Sequence, residues 1–299
     1  MMADILTRAQ LSLLAALLQT DAANLAGLER LGADDLKALR SALSDALFDE
    51  QAEAFARVGK LAPLIPNALV VTVAHRAVPP EVAGRVGGAV GLAHGDRAIG
   101  VLSGLKPSYL ADAAPYVDPR VIPHFAPRLP AKLLIPAAKE LLRRRDYLTA
   151  SRFVEFATDE LIVAFERAID DDEGIILTGV LVSDTHVMND IMRAAGTDRS
   201  LRMARAAATG KPEVLAALLS LLNRIDPELA RPAVTELLGH PDVDVVTHVL
   251  EVARTEGVVT ELLEISAVLD SEARARLASL EAWQRIARET ESWTHETPA

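Results

Sequence analysis

Cysteine is absent from this chain, aromatic residues make up only 4% of it, and long hydrophobic runs are missing. Without cysteine the chain has no disulfide bond, no thiolate nucleophile and no cysteine-ligated metal. A membrane-spanning helix needs roughly 18 consecutive apolar residues. The longest apolar runs, such as Gly174–Val182, are much shorter. We therefore expect no membrane span.

Two further absences concern the compartment and the partners. The first residues, Met1 to Ile5, lack the basic region and apolar core of a secretory signal, so we expect a cytoplasmic protein of bacterial type. The formal net charge is −11. Nucleic-acid affinity comes mostly from cationic side chains that meet phosphates, and anionic membranes repel an acidic chain. We expect neither nucleic acid nor a membrane as a partner.

The apolar residues that are present favour a helical protein. Half of the chain is hydrophobic, and its mean hydropathy is +0.20. The apolar residues are mainly Ala, Leu and Val, which suit closely packed helices better than a β-sandwich. Most of these aliphatic side chains must face inward or line a groove.

Helix-start signals recur at a nearly constant interval in the middle of the chain. Lys106-Pro107, Asp118-Pro119 and Leu129-Pro130 each begin an apolar segment, and Leu105, Val117 and Leu129 lie 12 residues apart. After a slightly longer step, the same interval separates the starts at Asp146, Thr158, Asp170 and Val182-Ser183. Twelve residues accommodate a helix of two to three turns and a tight corner. The rhythm predicts an all-α fold, an α-solenoid of short helices.

The segment from Gly174 to Val182 tests this rhythm. It is rich in β-branched residues, so its local propensity alone would allow a strand. The 12-residue interval continues through it, and we predict a helix.

Gly84/Gly88 and Gly87/Gly91 are pairs of small residues one helical turn apart, which predict that a neighbouring helix approaches closely.

The pattern divides the chain into four parts. Residues 1–59 read as amphipathic helices that form an N-terminal cap or a dimerisation arm. Residues 60–195 form the short-helix repeat domain. Residues 196–290 carry longer, HEAT-like helices, and residues 291–299 read as a frayed polar tail.

The segments Leu105-Lys106-Pro107, Val117-Asp118-Pro119 and Leu129-Pro130 resemble the leucine/valine–acid–proline half-repeats of a known architecture. They are similar to half-repeats in the cytoplasmic N-terminal domain of bacterial magnesium transporters, and the middle domain of the flagellar motor switch protein has a related armadillo-like form. The resemblance covers about residues 60–195 and implies a right-handed superhelix. Magnesium sensing does not transfer residue by residue, and no transmembrane segment follows.

One basic cluster with aromatic neighbours stands out in this acidic chain. Bidentate hydrogen bonds from its guanidinium groups could hold a carboxylate, a phosphate or an acidic partner; alternatively, the positive charge offsets a helix dipole. The candidate residues are Arg143, Arg144, Arg145, Tyr147, Arg152 and Phe153.

The densest acidic run is Asp170, Asp171, Asp172 and Glu173. Carboxylate oxygens suit Mg²⁺ or Ca²⁺, but consecutive side chains point in different directions and the spacing is not that of a calcium loop. We favour a solvated corner between helices, with N-cap roles, over a metal site.

Motifs that would identify an enzyme are missing from the sequence, including H-E-x-x-H and G-x-S-x-G. We therefore expect no catalysis and no cofactor. The first hypothesis is a scaffold that binds a protein partner, or a second copy of itself, through a concave face. The second is a carrier or sensor of a small apolar ligand held between helices.

Overall fold

The computed structural model describes residues 5–61 and 65–296, and within these ranges the chain is helical and contains no strand. The predicted all-α class is confirmed. The chain separates into two compact units, with the boundary between Asp170 and Asp171. The sequence placed a domain boundary at 195/196, and its four-part division stays a prediction.

The first unit contains ten α-helices in its described part. Three 3₁₀ segments, Ala22–Leu31, Ala114–Tyr116 and Ala126–Arg128, connect some of them. The α-helices are α1 (Ile5–Leu17), α2 (Gly32–Leu61), α3 (Asn67–Ala77), α4 (Pro80–Ala93), α5 (Gly95–Leu102), α6 (Pro107–Ala113), α7 (Ile122–Phe125), α8 (Ala131–Arg143), α9 (Tyr147–Val154) and α10 (Asp159–Ala168).

The second unit continues with longer helices. They are α11 (Asp172–Gly179), α12 (Thr185–Thr209), α13 (Pro212–Arg224), α14 (Pro227–Leu238), α15 (Val243–Glu256), α16 (Val259–Ser266), α17 (Ser271–Ser279) and α18 (Glu281–Glu296). Residues 174–179 belong to α11, so the helix predicted there is confirmed against the local strand propensity.

Side-chain caps explain the helix starts near Asp146 and Asp170, where the predicted interval is kept. Asp146 accepts a hydrogen bond from the Thr149 N–H, and Asp171 accepts one from the Gly174 N–H. Each satisfies one of the N–H groups that a helix start leaves without an intrahelical partner. The start predicted at Asp118-Pro119 differs. Residues 119–121 form a turn, and α7 begins only at Ile122.

Within each unit, helices pack mainly on the second helix along the chain. In the first unit α2 packs on α4, α4 on α6, α6 on α8, α8 on α10, and α3 on α5. In the second unit α11 packs on α13 and α13 on α15, while α12 packs on α14 and α14 on α16. Every residue of α13 from Val214 to Leu222 is buried, because neighbouring helices cover it on all sides. A helix that is hydrophobic all round is typical of such a central position.

The predicted close approach at glycine is confirmed for one of the two pairs. A Cβ atom on Gly84 would lie 2.9 Å from the Tyr116 Cβ, and one on Gly88 would lie 3.0 Å from a Val121 methyl group. The backbone after α6 therefore lies directly against α4. Gly87, in contrast, has nothing within 4 Å of such a Cβ.

Alanine substitutions at these two glycines should shift stability in opposite directions. Gly84→Ala forces the Ala113–Tyr116 backbone away from α4, and overpacking of this kind lowers the free energy of unfolding by about 1–3 kcal/mol. In Gly87→Ala the new methyl group has no neighbour within 4 Å, and the free energy of unfolding should rise by up to about 1 kcal/mol because Ala has a higher helix propensity than Gly. Urea unfolding followed by far-UV circular dichroism measures both. Equal effects would contradict the close contact at Gly84.

None of the helices described is long and apolar enough to span a membrane, in agreement with the sequence.

Candidate functional site

The three consecutive arginines at the end of α8 are held by different partners. Arg143 donates from Nε and NH2 to Glu140, at 2.8 and 2.7 Å. Arg144 donates to the same carboxylate at 2.8 Å and also pairs with Asp112 on α6. Arg145 has φ +60°, and its N–H bonds to the Leu142 carbonyl at 2.8 Å, so it belongs to the turn that ends the helix.

The arginine further along, Arg152, points inward. Its NH1 and NH2 groups donate to the Pro115 and Val117 carbonyls, at 2.7 and 2.8 Å. Burial lowers the pKa of Arg152 to about 10, and the positive charge of Arg40 acts in the same direction. Tyr147 begins α9, and Phe153 is half-buried near its end. The structure brings Arg143 and Arg144 together at Glu140 but gives Arg152 other partners. Anion or partner binding by the six residues stays a prediction.

Glu140 provides a pH-dependent test of the Arg143–Arg144 contacts. Hydrogen bonds from the two arginines lower the pKa of Glu140 from 4.5 to about 2. A carboxylate whose folded-state pKa is depressed stabilises the fold above its unfolded-state pKa and loses that effect as the pH falls. The melting temperature of the wild type should therefore exceed that of Glu140→Gln at neutral pH, and the difference should shrink between about pH 4.5 and pH 2. Thermal melts across this range measure it. If the melting-temperature difference between the wild type and Glu140→Gln did not change with pH, the hydrogen bonds from Arg143 and Arg144 to Glu140 would not stabilise the fold.

The acidic run at the start of the second unit is also engaged in structural contacts. Asp171 caps α11, and Asp172 pairs with Arg199, whose side chain is only 1% exposed. Arg202 lies 3.7 Å from the other Asp172 oxygen. Among the residues that the structure describes, no three His, Asp or Glu side chains gather as a metal ion would require. Binding of a divalent cation by residues 170–173 stays a prediction.

The Asp172–Arg199 pair should be a strong contributor to stability because both side chains are buried or nearly so, and loss of Arg199 leaves Asp172 with only the longer contact to Arg202. Arg199→Met should lower the free energy of unfolding of the second unit by about 3–5 kcal/mol. Both tryptophans of the chain lie in the second unit, so their fluorescence during urea unfolding reports on it. Arg193→Met removes an exposed pair with Asp190 and should change the free energy by less than about 1 kcal/mol. Similar losses for the two variants would contradict a special role for the buried pair.

A surface that the sequence analysis did not single out lies on α3. Its inner face packs on the chain around α5 and α6. There a Cβ on Gly104 would lie 2.8 Å from a Val71 methyl group, and His75 accepts a hydrogen bond from the Lys106 N–H at 3.1 Å. On the opposite face, Leu69 is 52% and Val73 45% exposed, and Ile65, in the bend that precedes α3, is 40% exposed. We call these three residues the α3 apolar face.

One basic side chain adjoins this face. Helix α3 contains no carboxylate, although the chain carries a net charge of −11. Arg76, in the last turn of α3, is exposed and lies three residues after Val73, on the same side of the helix. Lys106 is also exposed, but its N–H bonds to His75 on the packed side of α3.

The sequence contained a sign of this surface. Helix α3 carries aliphatic residues on two faces, with Val71 and Ala74 inward and Leu69 and Val73 outward. Aliphatic residues in excess of one face indicate a second contact surface, but the period alone does not show which face the fold covers.

No protein-family model, curated protein or solved structure matches this chain.

Proposed function

We propose that this chain is a non-catalytic helical-repeat scaffold that binds a protein partner or a second copy of itself. The observation that carries the proposal is the α3 apolar face, where aliphatic side chains remain in water on a helix whose other side is packed. Exposed apolar groups that adjoin one another, with a polar rim, are typical of protein–protein contact surfaces.

The order in which the helices pack supports a repeat architecture. Alternate helices stack in each unit, as neighbouring layers do in solenoid proteins, although α1 also packs on α9 and α13 on α16. Polar contacts link helices to the end of the third helix before them. Tyr109 donates to the Val78 carbonyl 31 residues earlier, and Arg276 donates to the Gly239 carbonyl 37 residues earlier. The right-handed superhelix, the concave face and the armadillo-like resemblance stay predictions. So does binding of an apolar small molecule.

The charge around the α3 apolar face indicates what the partner carries. Arg76 favours carboxylates at the rim of the contact, and the aliphatic face favours apolar side chains at its centre. An amphipathic partner helix with Leu or Phe on one face and Asp or Glu beside them has this chemistry. An acidic surface of a second copy would meet the same requirement.

Charged substitutions on the α3 apolar face should abolish partner binding. Leu69→Asp combined with Val73→Asp puts two carboxylates in the centre of the proposed contact, and desolvating them would weaken binding by at least about tenfold per residue. Sedimentation equilibrium over a range of concentrations detects self-association. Affinity capture with the tagged full chain detects a stoichiometric protein partner.

The matched control is Val243→Asp, which changes another exposed aliphatic residue, 54% exposed, in the second unit. The wild type and this control should form the same complex, and the double variant should not. A wild-type chain that is monomeric at every concentration and captures no stoichiometric protein would refute the scaffold proposal. If the double variant bound its partner as the wild type does, the binding surface would lie outside the α3 apolar face.

A further inference from the structure

A ten-residue 3₁₀ helix, Ala22–Leu31, joins α1 to α2 in the first unit. Runs of 3₁₀ helix longer than three or four residues are uncommon, because their hydrogen-bond geometry is poorer than that of an α-helix. A run of this length therefore depends on side-chain packing. We call residues 22–31 the strap.

Leucine recurs at every third position along the strap, at Leu25, Leu28 and Leu31. Side chains three residues apart line up along one side of a 3₁₀ helix, whereas those of an α-helix turn progressively around its axis. Leu25 and Leu28 pack against the apolar contact between α1 and α2. Leu31, at the end of the strap, is 38% exposed. The three-residue spacing explains why this segment is a 3₁₀ helix, since that form turns Leu25 and Leu28 toward the same neighbours.

The surface beneath the strap is apolar and belongs to two helices. Leu11 and Leu14 of α1 meet Leu36 of α2, and all three are buried. Both helices contact the strap, and they also pack directly on each other. Movement of the strap away from them would bring this leucine surface into contact with water while the contact between α1 and α2 remains.

Few buried contacts hold the strap in place. None of its ten residues is buried, whereas α1 buries seven of its thirteen residues. The caps at its two ends are local: the Asp21 side chain accepts a hydrogen bond from the Ala23 N–H at 2.8 Å, and the Gly32 N–H bonds to the Glu29 carbonyl. Segments with few buried apolar contacts open at a low free energy while the rest of the fold stays intact.

The backbone changes direction at both ends of the strap. Gln19, two residues before the N-cap Asp21, has φ +53°, and Gly32 has φ +75°. Left-handed backbone is uncommon for a residue other than glycine and is unfavourable without support from the surrounding structure. Hinges are usually a few residues at the ends of elements, where the backbone angles can change. Rotation at Gln19 and Gly32 would let the strap swing while α1 and α2 keep their positions.

We propose that the strap opens while α1 and α2 stay folded, and that the surface it covers docks an amphipathic α-helix of a partner protein. The strap itself indicates the chemistry of that partner, because its two packed leucines lie three residues apart. An α-helix with leucines three or four residues apart presents a similar pair with better backbone hydrogen bonds. The strap is then an internal competitor of the partner. This surface is separate from the α3 apolar face, and the inference does not rest on the function proposed above.

Hydrogen exchange of the full wild-type chain, followed by mass spectrometry, measures the opening. After correction for intrinsic rates, the strap amides should exchange at least about 100-fold faster than those of residues 9–15 in α1, because they do not wait for the unit to unfold. Gly27→Ala should slow exchange of the strap and leave that of α1 unchanged, since the added methyl group has no neighbour within 4 Å and restricts the open chain. Equal rates for the strap and α1 in the wild type, or equal slowing of both in Gly27→Ala, would overturn the proposal.

A peptide of residues 21–32 tests the docking surface in trans. Leu25→Asp combined with Leu28→Asp should release the strap of the full chain, and the wild-type peptide at millimolar concentration should then slow exchange of α1. The peptide should bind the wild-type chain at least about tenfold more weakly, because the tethered strap competes for the same surface. A peptide with Gly27→Ala, which favours the α-helix, should bind as well as the wild-type peptide or better. A peptide that carries both leucine substitutions should not bind.

The matched control in the full chain is Leu31→Asp, which changes the strap leucine that is already exposed. Its strap exchange and peptide affinity should equal those of the wild type. Circular dichroism verifies that each variant is folded, and Leu25→Ala replaces the double variant if that chain does not fold. The docking surface is refuted if the wild-type peptide does not slow exchange of α1 in the released variant, or if the peptide with both leucine substitutions binds equally well. Weaker binding of the Gly27→Ala peptide would refute an α-helical partner.

Discussion

Hydrogen bonds from arginine side chains to the carbonyls at helix ends are the interaction on which this array of short helices depends. Each connection between helices carries backbone carbonyls that no helix pairs internally, and a chain of many helices has many such connections. Three arginines from later helices donate to carbonyls in the segments that directly follow α6, α11 and α14. Arg152 bonds to Pro115 and Val117, Arg224 to Val182 and Val180, and Arg276 to Gly239 and His240.

These contacts show that several basic residues of this acidic chain hold its helices together. A cluster of arginines next to aromatic residues is typical of a ligand site, and Arg152 belongs to such a cluster in the sequence. Its guanidinium donates to two part-buried backbone carbonyls, which gives it a structural role within the first unit. Arg144 similarly joins α8 to α6 through Asp112.

Local signals were sufficient to predict the helical class and most helix starts. Asp146, Thr158 and Asp184 each accept a hydrogen bond from an N–H of the helix that follows, and this depends only on residues within one turn. The partners of Arg152 lie 35 and 37 residues earlier, so its direction depends on packing that no local pattern encodes. The exposed side of α3 was unpredictable for the same reason, because both of its faces carry aliphatic residues. The sequence favoured a solvated corner at residues 170–173, and no local pattern indicated that Asp172 would pair with Arg199, 27 residues later.

The stacking of alternate helices also has a consequence for how the chain acquires its structure. Contacts between helices that are close in sequence require only small loops to be closed, so the entropy lost before they form is low. In the helical-repeat scaffold that we propose, any neighbouring set of helices would act as a nucleus from which order spreads in both directions. Gain or loss of a pair of helices during evolution would extend or shorten such a stack while leaving distant layers as they were.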